Sequence, residues 1–170
     1  MSEATSLRGR MHRHQRLMPV EEARAFLRAQ KVAHVATVDG EGWPYVIPLI
    51  YIYEGDNRLW LHTGSHGGHF ERNIERHPRA CVEVSEMGPV HPGRTFACQS
   101  ALVYRSVVTF GPVRQIDSLA DKTWFFDRVL EKYGDPGWVF DPGYPQIDRI
   151  VLYEQTIDIV TGKHSAGHSH

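Results

Sequence analysis

Residues 62–69 read His-Thr-Gly-Ser-His-Gly-Gly-His, and they gather more potential chemistry than any other short stretch of the chain. Gly64, Gly67 and Gly68 let the backbone come close to a ligand, and Thr63 and Ser65 add hydroxyl donors. Just beyond, Phe70 and Ile74 stand four apart, which predicts a short helix over 66–77. A helix N-terminus presents unpaired N–H groups and the positive end of a dipole, so the turn suits an anion such as a phosphate. The same composition also suits a plain strand-to-helix corner. It is no P-loop, because the Gly-Lys-Ser/Thr ending is missing. His62, His66 and His69 raise zinc, but the run holds no Cys or Asp, and a site needs three or four converging ligands, so no metal is expected. Ser65 or Ser106 beside a histidine raises a hydrolase, yet no Gly-x-Ser-x-Gly elbow occurs.

The elements around this turn are mostly strands. Pro19 with Glu21 and Glu22 opens a helix whose buried stripe is Val20, Ala23, Phe26 and Leu27. VAHVATV (32–38) and WPYVIPLIYIY (43–53) flank the turn DGEG as a hairpin, and RLWLHT (58–63) follows EGDN as a third strand. ACVEVSE (80–86) alternates as a strand, and MGPVHPG (87–93) reads as a loop. Residues 96–116 give one long strand or two, with Gly111-Pro112 marking a bend or an edge. Ser118 and Asp121 start a helix carrying Phe126, Val129, Leu130 and Tyr133, which ends at Gly134. After the loop GDPGWVFDPGYPQ, a last strand spans RIVLYEQTIDIV (149–160). Hairpin-joined strands with inserted helices predict an α+β, mainly β fold built on an antiparallel barrel rather than a doubly wound parallel sheet. The expected organisation is a flexible arm at 1–17, one domain over 18–163 and a disordered His-rich tail at 164–170.

Composition narrows the function. Net charge is −1, so no basic field favours nucleic acid. The longest apolar run, YVIPLIYIY, has nine residues where a membrane span needs ~20, and the N-terminus lacks the apolar segment of a secretory signal. Two cysteines, Cys81 and Cys98, form no disulfide framework, and the expectation is a cytoplasmic protein. Trp43, Trp60 and Trp124 suit core packing. Trp138, with Phe140 and Tyr144, lies in a polar, proline-rich loop that reads either as packing over a barrel end or as a lid shaping a substrate pocket.

Three segments in order carry a resemblance: Gly-x-Pro-Tyr-Val-x-Pro (42–48), Leu-x-Leu-His-Thr leading into Asn-x-x-x-His-Pro-Arg (59–79), and Tyr-x-Ser-Val-x-x-x-Gly (104–111). Over roughly residues 16–163 the chain resembles the pyridoxamine 5′-phosphate oxidase-like FMN-binding split-barrel family, in the branch that includes nitroimidazole-resistance proteins. The resemblance implies a six-stranded antiparallel split β-barrel of Greek-key type with a few short helices. It also implies a homodimer with FMN at the subunit interface. On this reading Tyr45, Val46, Ile47 and Pro48 present backbone to the flavin ring. His62, Thr63, Gly64 and Ser65, with Gly68 and His69 at the helix start, hold its phosphate.

The implied activity is oxidoreduction, from a nicotinamide or other donor to a small organic substrate, nitroaromatics included. No catalytic residue is singled out. A non-catalytic flavin- or haem-binding protein of the same fold is the alternative. Oxidation of pyridoxamine phosphate itself is not expected, because PYVIPL lacks the arginine of that enzyme's matching strand. One departure stands out: the family often carries a lysine where this chain has His69, and an ordinary histidine (pKa ~6.5) is mostly neutral at pH 7.

Overall fold

The structure is a computed structural model that describes residues 12–167. A short strand β1 (Leu17–Met18) leads into helix α1 (Val20–Ala29), then strands β2 (Ala33–Val38), β3 (Pro44–Leu49), β4 (Tyr51–Tyr53) and β5 (Arg58–Thr63). Helix α2 (His69–Arg76) separates these from two long strands, β6 (Arg79–His91) and β7 (Ala101–Ile116). Helix α3 (Leu119–Tyr133), β8 (Val151–Thr156) and β9 (Ile159–Ala166) complete the chain. All pairings are antiparallel. The main path runs β3-β2-β6-β7-β8-β5-β4, with β9 on β7 and β1 on β9.

The two ends of that path, β3 and β4, are consecutive in sequence across Ile50, so the sheet curls back toward itself as a split barrel. β7 makes the corner. Up to Phe110 it pairs with β9, and from Val113 it pairs with β8. Gly111 sits at the switch, where a Cβ would run into the Thr156 carbonyl oxygen. The bend expected at Gly111-Pro112 is therefore a change of sheet within one continuous strand.

Two apolar cores follow from this curl. Ala33, Val35, Val82, Val84, Val107, Leu59, Leu61 and Tyr153 fill the barrel, which α1 closes with Ala23, Phe26 and Leu27. Leu27 is wholly buried, which contributes ~1.5–3 kcal/mol. Gly162 on β9 lets α1 approach, since a Cβ there would lie 2.7 Å from the Met18 Cβ and 2.8 Å from that of Ala23. Outside the barrel, α3 packs Phe125 and Phe126 on Trp60, Ile116 and Leu152. Ser118 caps α3 by accepting from the Asp121 N–H at 3.3 Å.

Several sequence expectations change. The sheet has nine strands, because β3 and β4 are separate elements, β1 adds to β9, and the expected last strand divides at Ile157-Asp158. There the Ile157 N–H turns to the Asn57 carbonyl (2.7 Å) and the Asp158 N–H to that of Phe110 (2.9 Å), sending β8 and β9 along different parts of β7. Residues 87–91, expected as loop, extend β6 across a register shift between Met87 and Val90, where Pro89 offers no N–H to the ladder. Val20 is exposed rather than part of the buried stripe of α1. α2 begins at His69, not at residue 66. The segment 164–166, expected as tail, is strand: His164 pairs with Arg105 and Ser165 with Tyr104. The expected arm and tail otherwise fall mainly on residues 1–11 and 168–170, outside the described residues.

Candidate functional site

β3 pairs only with β2, so its other edge carries backbone groups with no strand partner among the described residues. Tyr45 and Ile47 lie opposite Thr37 and Val35 and pack against the barrel core, while Val46 and Pro48 face outward and are exposed. The 64–69 turn stands next to this strand through one contact: the His69 imidazole stacks on the Tyr45 ring, centroids 4.3 Å apart and planes 4° from parallel.

The turn is open. Residues 64–69 are exposed, and no protein atom lies within 4 Å of a Cβ built on Gly64 or Gly67. Gly67 has φ +82°, a conformation that glycine adopts freely. The N-terminus of α2 has no side-chain cap, Gly68 being its N-cap, so its first N–H groups remain available to a ligand. Thr63 Oγ1 reaches to 3.4 Å from the Tyr153 hydroxyl at the barrel rim.

Below the turn, buried polar contacts fix its shape. The Glu71 carboxylate accepts from the Gly67 N–H (2.5 Å) and from His66 Nδ1 (2.8 Å). Burial pushes the Glu71 carboxyl up, but these two hydrogen bonds outweigh it and hold it below the usual carboxylate range. Buried Asn73 donates to Thr37 Oγ1 at 3.0 Å, and Thr37 Oγ1 donates to the Tyr45 carbonyl at 3.5 Å. This thread ties α2 through β2 to the strand edge. Asp39 accepts from the Trp43 and Glu41 N–H groups at 2.8 and 2.9 Å, shaping the β2–β3 turn, and its carboxyl is held low first by the Trp43 bond, with the charge of His69 also lowering it. Arg76 lies over Gly40 of the same turn, where a Cβ would meet its guanidinium. So Asp39, Glu71 and Asn73 join the neighbourhood without having been singled out from sequence, whereas Arg76, with Arg72, is a cation the sequence offers beside His69. Only Asp39 had a local signal, the Asx-type turn of DGEG.

The structure thus brings Tyr45, Thr63, Gly64, Ser65, Gly68 and His69 into one region. It sends the His62 ring elsewhere. Neighbouring strand residues face opposite sides, and His62 lies against Phe125 (5.3 Å) and Phe126 (5.5 Å) of α3. Burial lowers its pKa, and its Nδ1 has no hydrogen-bond partner. Among the described residues no three His, Cys, Asp or Glu side chains converge as a metal site would need.

Of the loop aromatics, Phe140 packs edge-to-face on Phe126 (5.3 Å) and Tyr144, at φ +49°, donates through its hydroxyl to Asp127. Both line an apolar cavity of about 210 Å³ with Ile147 and Ile150. Trp138 does not join them and is 62% exposed. Trp60 is core, edge-on to Trp124 at 5.1 Å. Among the described residues no helix is long and apolar enough to cross a membrane.

Among solved structures, a candidate 5-nitroimidazole antibiotic resistance protein from Bacteroides thetaiotaomicron shares 22% identity at TM-score 0.72, covering 87% of this chain and 86% of that one. A flavocytochrome from Azotobacter vinelandii shares 24% at TM-score 0.81 (95% and 75%), and an FAD-binding protein from Mesorhizobium loti 25% at TM-score 0.62 (89% and 98%). No curated protein matches by sequence. At these identities the likeness speaks for a common fold. The family pattern described as pyridoxamine 5′-phosphate oxidase matches residues 19–164, which is most of the chain, and the chain belongs to that family.

Proposed function

We propose that this chain binds FMN along the edge of β3, with the phosphate at the 63–69 turn, and uses it for oxidoreduction of a small organic substrate. The observation that carries the reading is the pairing of an open, uncapped helix start with the Tyr45–His69 stack beside an unpaired strand edge. Thr63, Ser65 and the first N–H groups of α2 are the phosphate donors, with Arg72 and Arg76 as the nearest permanent cations on that helix. Bound flavin supplies hydride and electron transfer, and the protein supplies orientation and a shaped surface. Nitroaromatics are the substrate class we favour, and a nicotinamide the donor.

A second copy completes the site on this reading. Val38, Pro44, Val46 and Pro48 give adjacent β2 and β3 an exposed apolar outer face, which a two-fold partner would cover. Haem is the second reading, favoured by one observation: the buried His62 Nδ1 lacks a partner within an aromatic nest.

The test is the visible spectrum of the purified protein, with the released chromophore identified and the mass measured in solution. A flavin spectrum that releases FMN from a dimer supports the proposal, and release of FAD shifts the cofactor but keeps the site. A Soret band lost in H62A replaces it with the haem reading. A colourless monomer that takes up neither flavin nor haem refutes both.

A further inference from the structure

A groove of about 530 Å³ lies between α1, β4 and α3 and shares no residue with the 63–69 turn. Its lining joins Ile52 and Tyr53 to three cations, Arg28, Arg128 and Lys132, and two acids, Glu54 and Glu131. Arg128 and Lys132 stand four apart on α3, so both cations project from one face of the helix.

The Lys132 amine is held in an unusual way. Nζ donates to the Tyr51 carbonyl at 3.2 Å and sits 3.8 Å from the centroid of the Tyr51 ring and 5.3 Å from that of Tyr133. Among the described residues no carboxylate forms an ion pair with it. The two nearby acids serve the arginine instead: Glu131 binds Arg128 Nη1 at 2.5 Å, and Glu54 stands 3.9 Å from Arg128 Nε, which makes no hydrogen bond. Arg28 donates to the Glu54 carbonyl and keeps its other N–H groups. Burial lowers the Lys132 amine to about 8, with the charge of Lys31 adding to the effect.

We propose that this groove is a reactive-amine site for a small aldehyde bearing a carboxylate: Lys132 Nζ condenses with the carbonyl while Arg128 and Arg28 hold the anion. The nitrogen lone pair attacks the carbonyl carbon, the C–N bond forms, and the carbonyl π electrons pass to oxygen, which takes a proton. The nitrogen then gives up its protons as the C–O bond breaks. Amine and aldehyde give imine and one water, with no change of oxidation state. This site goes beyond the flavin reading and does not depend on it. The rival explanation is a lysine that only clamps α3 to β4 through the Tyr51 ring.

The chain has four lysines, Lys31, Lys122, Lys132 and Lys163, so selectivity can be read peptide by peptide. The purified full-length protein is treated briefly with glyoxylate and cyanoborohydride at pH 7, digested, and the trapped secondary amines are counted by mass spectrometry. At that pH an amine titrating at about 8 is roughly 300-fold richer in the neutral form than one at the ordinary lysine value of 10.5. Lower basicity and partial burial take back much of this, leaving an expected preference for Lys132 over Lys31 and Lys163 of about 10-fold. R128Q is expected to cut trapping of glyoxylate at Lys132 about 5-fold while leaving trapping of propanal, a neutral aldehyde, unchanged. K132R removes that one adduct and leaves the others. Circular dichroism confirms that each variant is folded. Labelling of Lys132 no faster than of Lys31 and Lys163 overturns the reactive amine. Equal effects of R128Q on glyoxylate and propanal overturn the anion-bearing ligand.

Discussion

His69 is the point at which the cofactor proposal can be pressed hardest, and H69K is the perturbation. His69 starts α2 with its ring stacked on Tyr45 at 4.3 Å. A lysine there stays cationic across pH 6–8, whereas histidine in general loses its charge over that range. A charge-assisted hydrogen bond to phosphate is worth ~1.5–3 kcal/mol. Against this, the variant forfeits the ring stack, ~0.5–1.5 kcal/mol. Midpoint against midpoint, the net gain at pH 8 is ~1.3 kcal/mol, or roughly 8-fold in affinity. Asp39, Glu71, His66, Arg72 and Arg76 surround the position, so ionic strength is held fixed. The assay is quenching of FMN fluorescence on titration with protein at pH 6 and pH 8, with riboflavin as the phosphate-free control. H69K binding FMN no tighter than the parent at pH 8, or tightening riboflavin equally, refutes placement of the phosphate at this helix start.

Three further variants test the frame around the site. G111A drives a methyl into the Thr156 carbonyl and is expected to cost on the order of 3 kcal/mol in urea unfolding; a loss below 1 kcal/mol would show that β7 does not turn its corner there. H62F removes a partly buried imidazole whose pKa is lowered by burial. The unfolded chain binds a proton more readily than the fold below about pH 6.5, so the parent loses stability as pH falls through that value, and H62F should flatten this part of the profile between pH 5 and 8. E71Q acts on a carboxyl whose folded pKa is held low, so the stability it gives is present above the ordinary glutamate value of ~4.3 and lost as pH falls through the folded one. The variant should be less stable at pH 7, by ~1–3 kcal/mol, and should approach the parent in acid.

Local patterns made much of the barrel legible. The β2–β3 hairpin, the β5 strand and the α3 cap were readable from alternation and turn chemistry, and Gly111-Pro112 announced a bend. What stayed hidden was long-range. The break between β8 and β9 is made by carbonyls of Asn57 and Phe110, far away in sequence, and no local residue marks it. The extension of β6 past Met87 depends on β7 continuing beside it, so glycine and proline read as loop. At the site, glycines, hydroxyls and the following helix pointed to the turn. Nothing in the sequence distinguished Glu71 from an ordinary first-turn acid, and the Asn73–Thr37 bond joins residues 36 apart. The direction of the His62 ring was within reach: with Leu59 and Leu61 inside the barrel, strand parity puts His62 beside Trp60.

Gly64 separates a corner from a binding site. α2 is short, and half of its buried face is polar, yet Glu71 holds Gly67 and His66, and Asn73 holds Thr37. The helix is therefore anchored by bonds in which Gly64 takes no part. Gly67 is accounted for by its φ of +82°, but Gly64 is not in the left-handed region and has no protein neighbour within 4 Å of a Cβ. Neither packing nor backbone conformation demands glycine at 64. Close approach of a ligand is the remaining physical reason. G64A should then leave the fold as stable as before, or up to ~1 kcal/mol more so through the unfolded chain. If that methyl occupies the space of the phosphate, FMN affinity should fall about 10-fold or more while riboflavin binding changes little. G64A that keeps full FMN affinity would mean the turn is only a corner, with the cofactor's phosphate elsewhere.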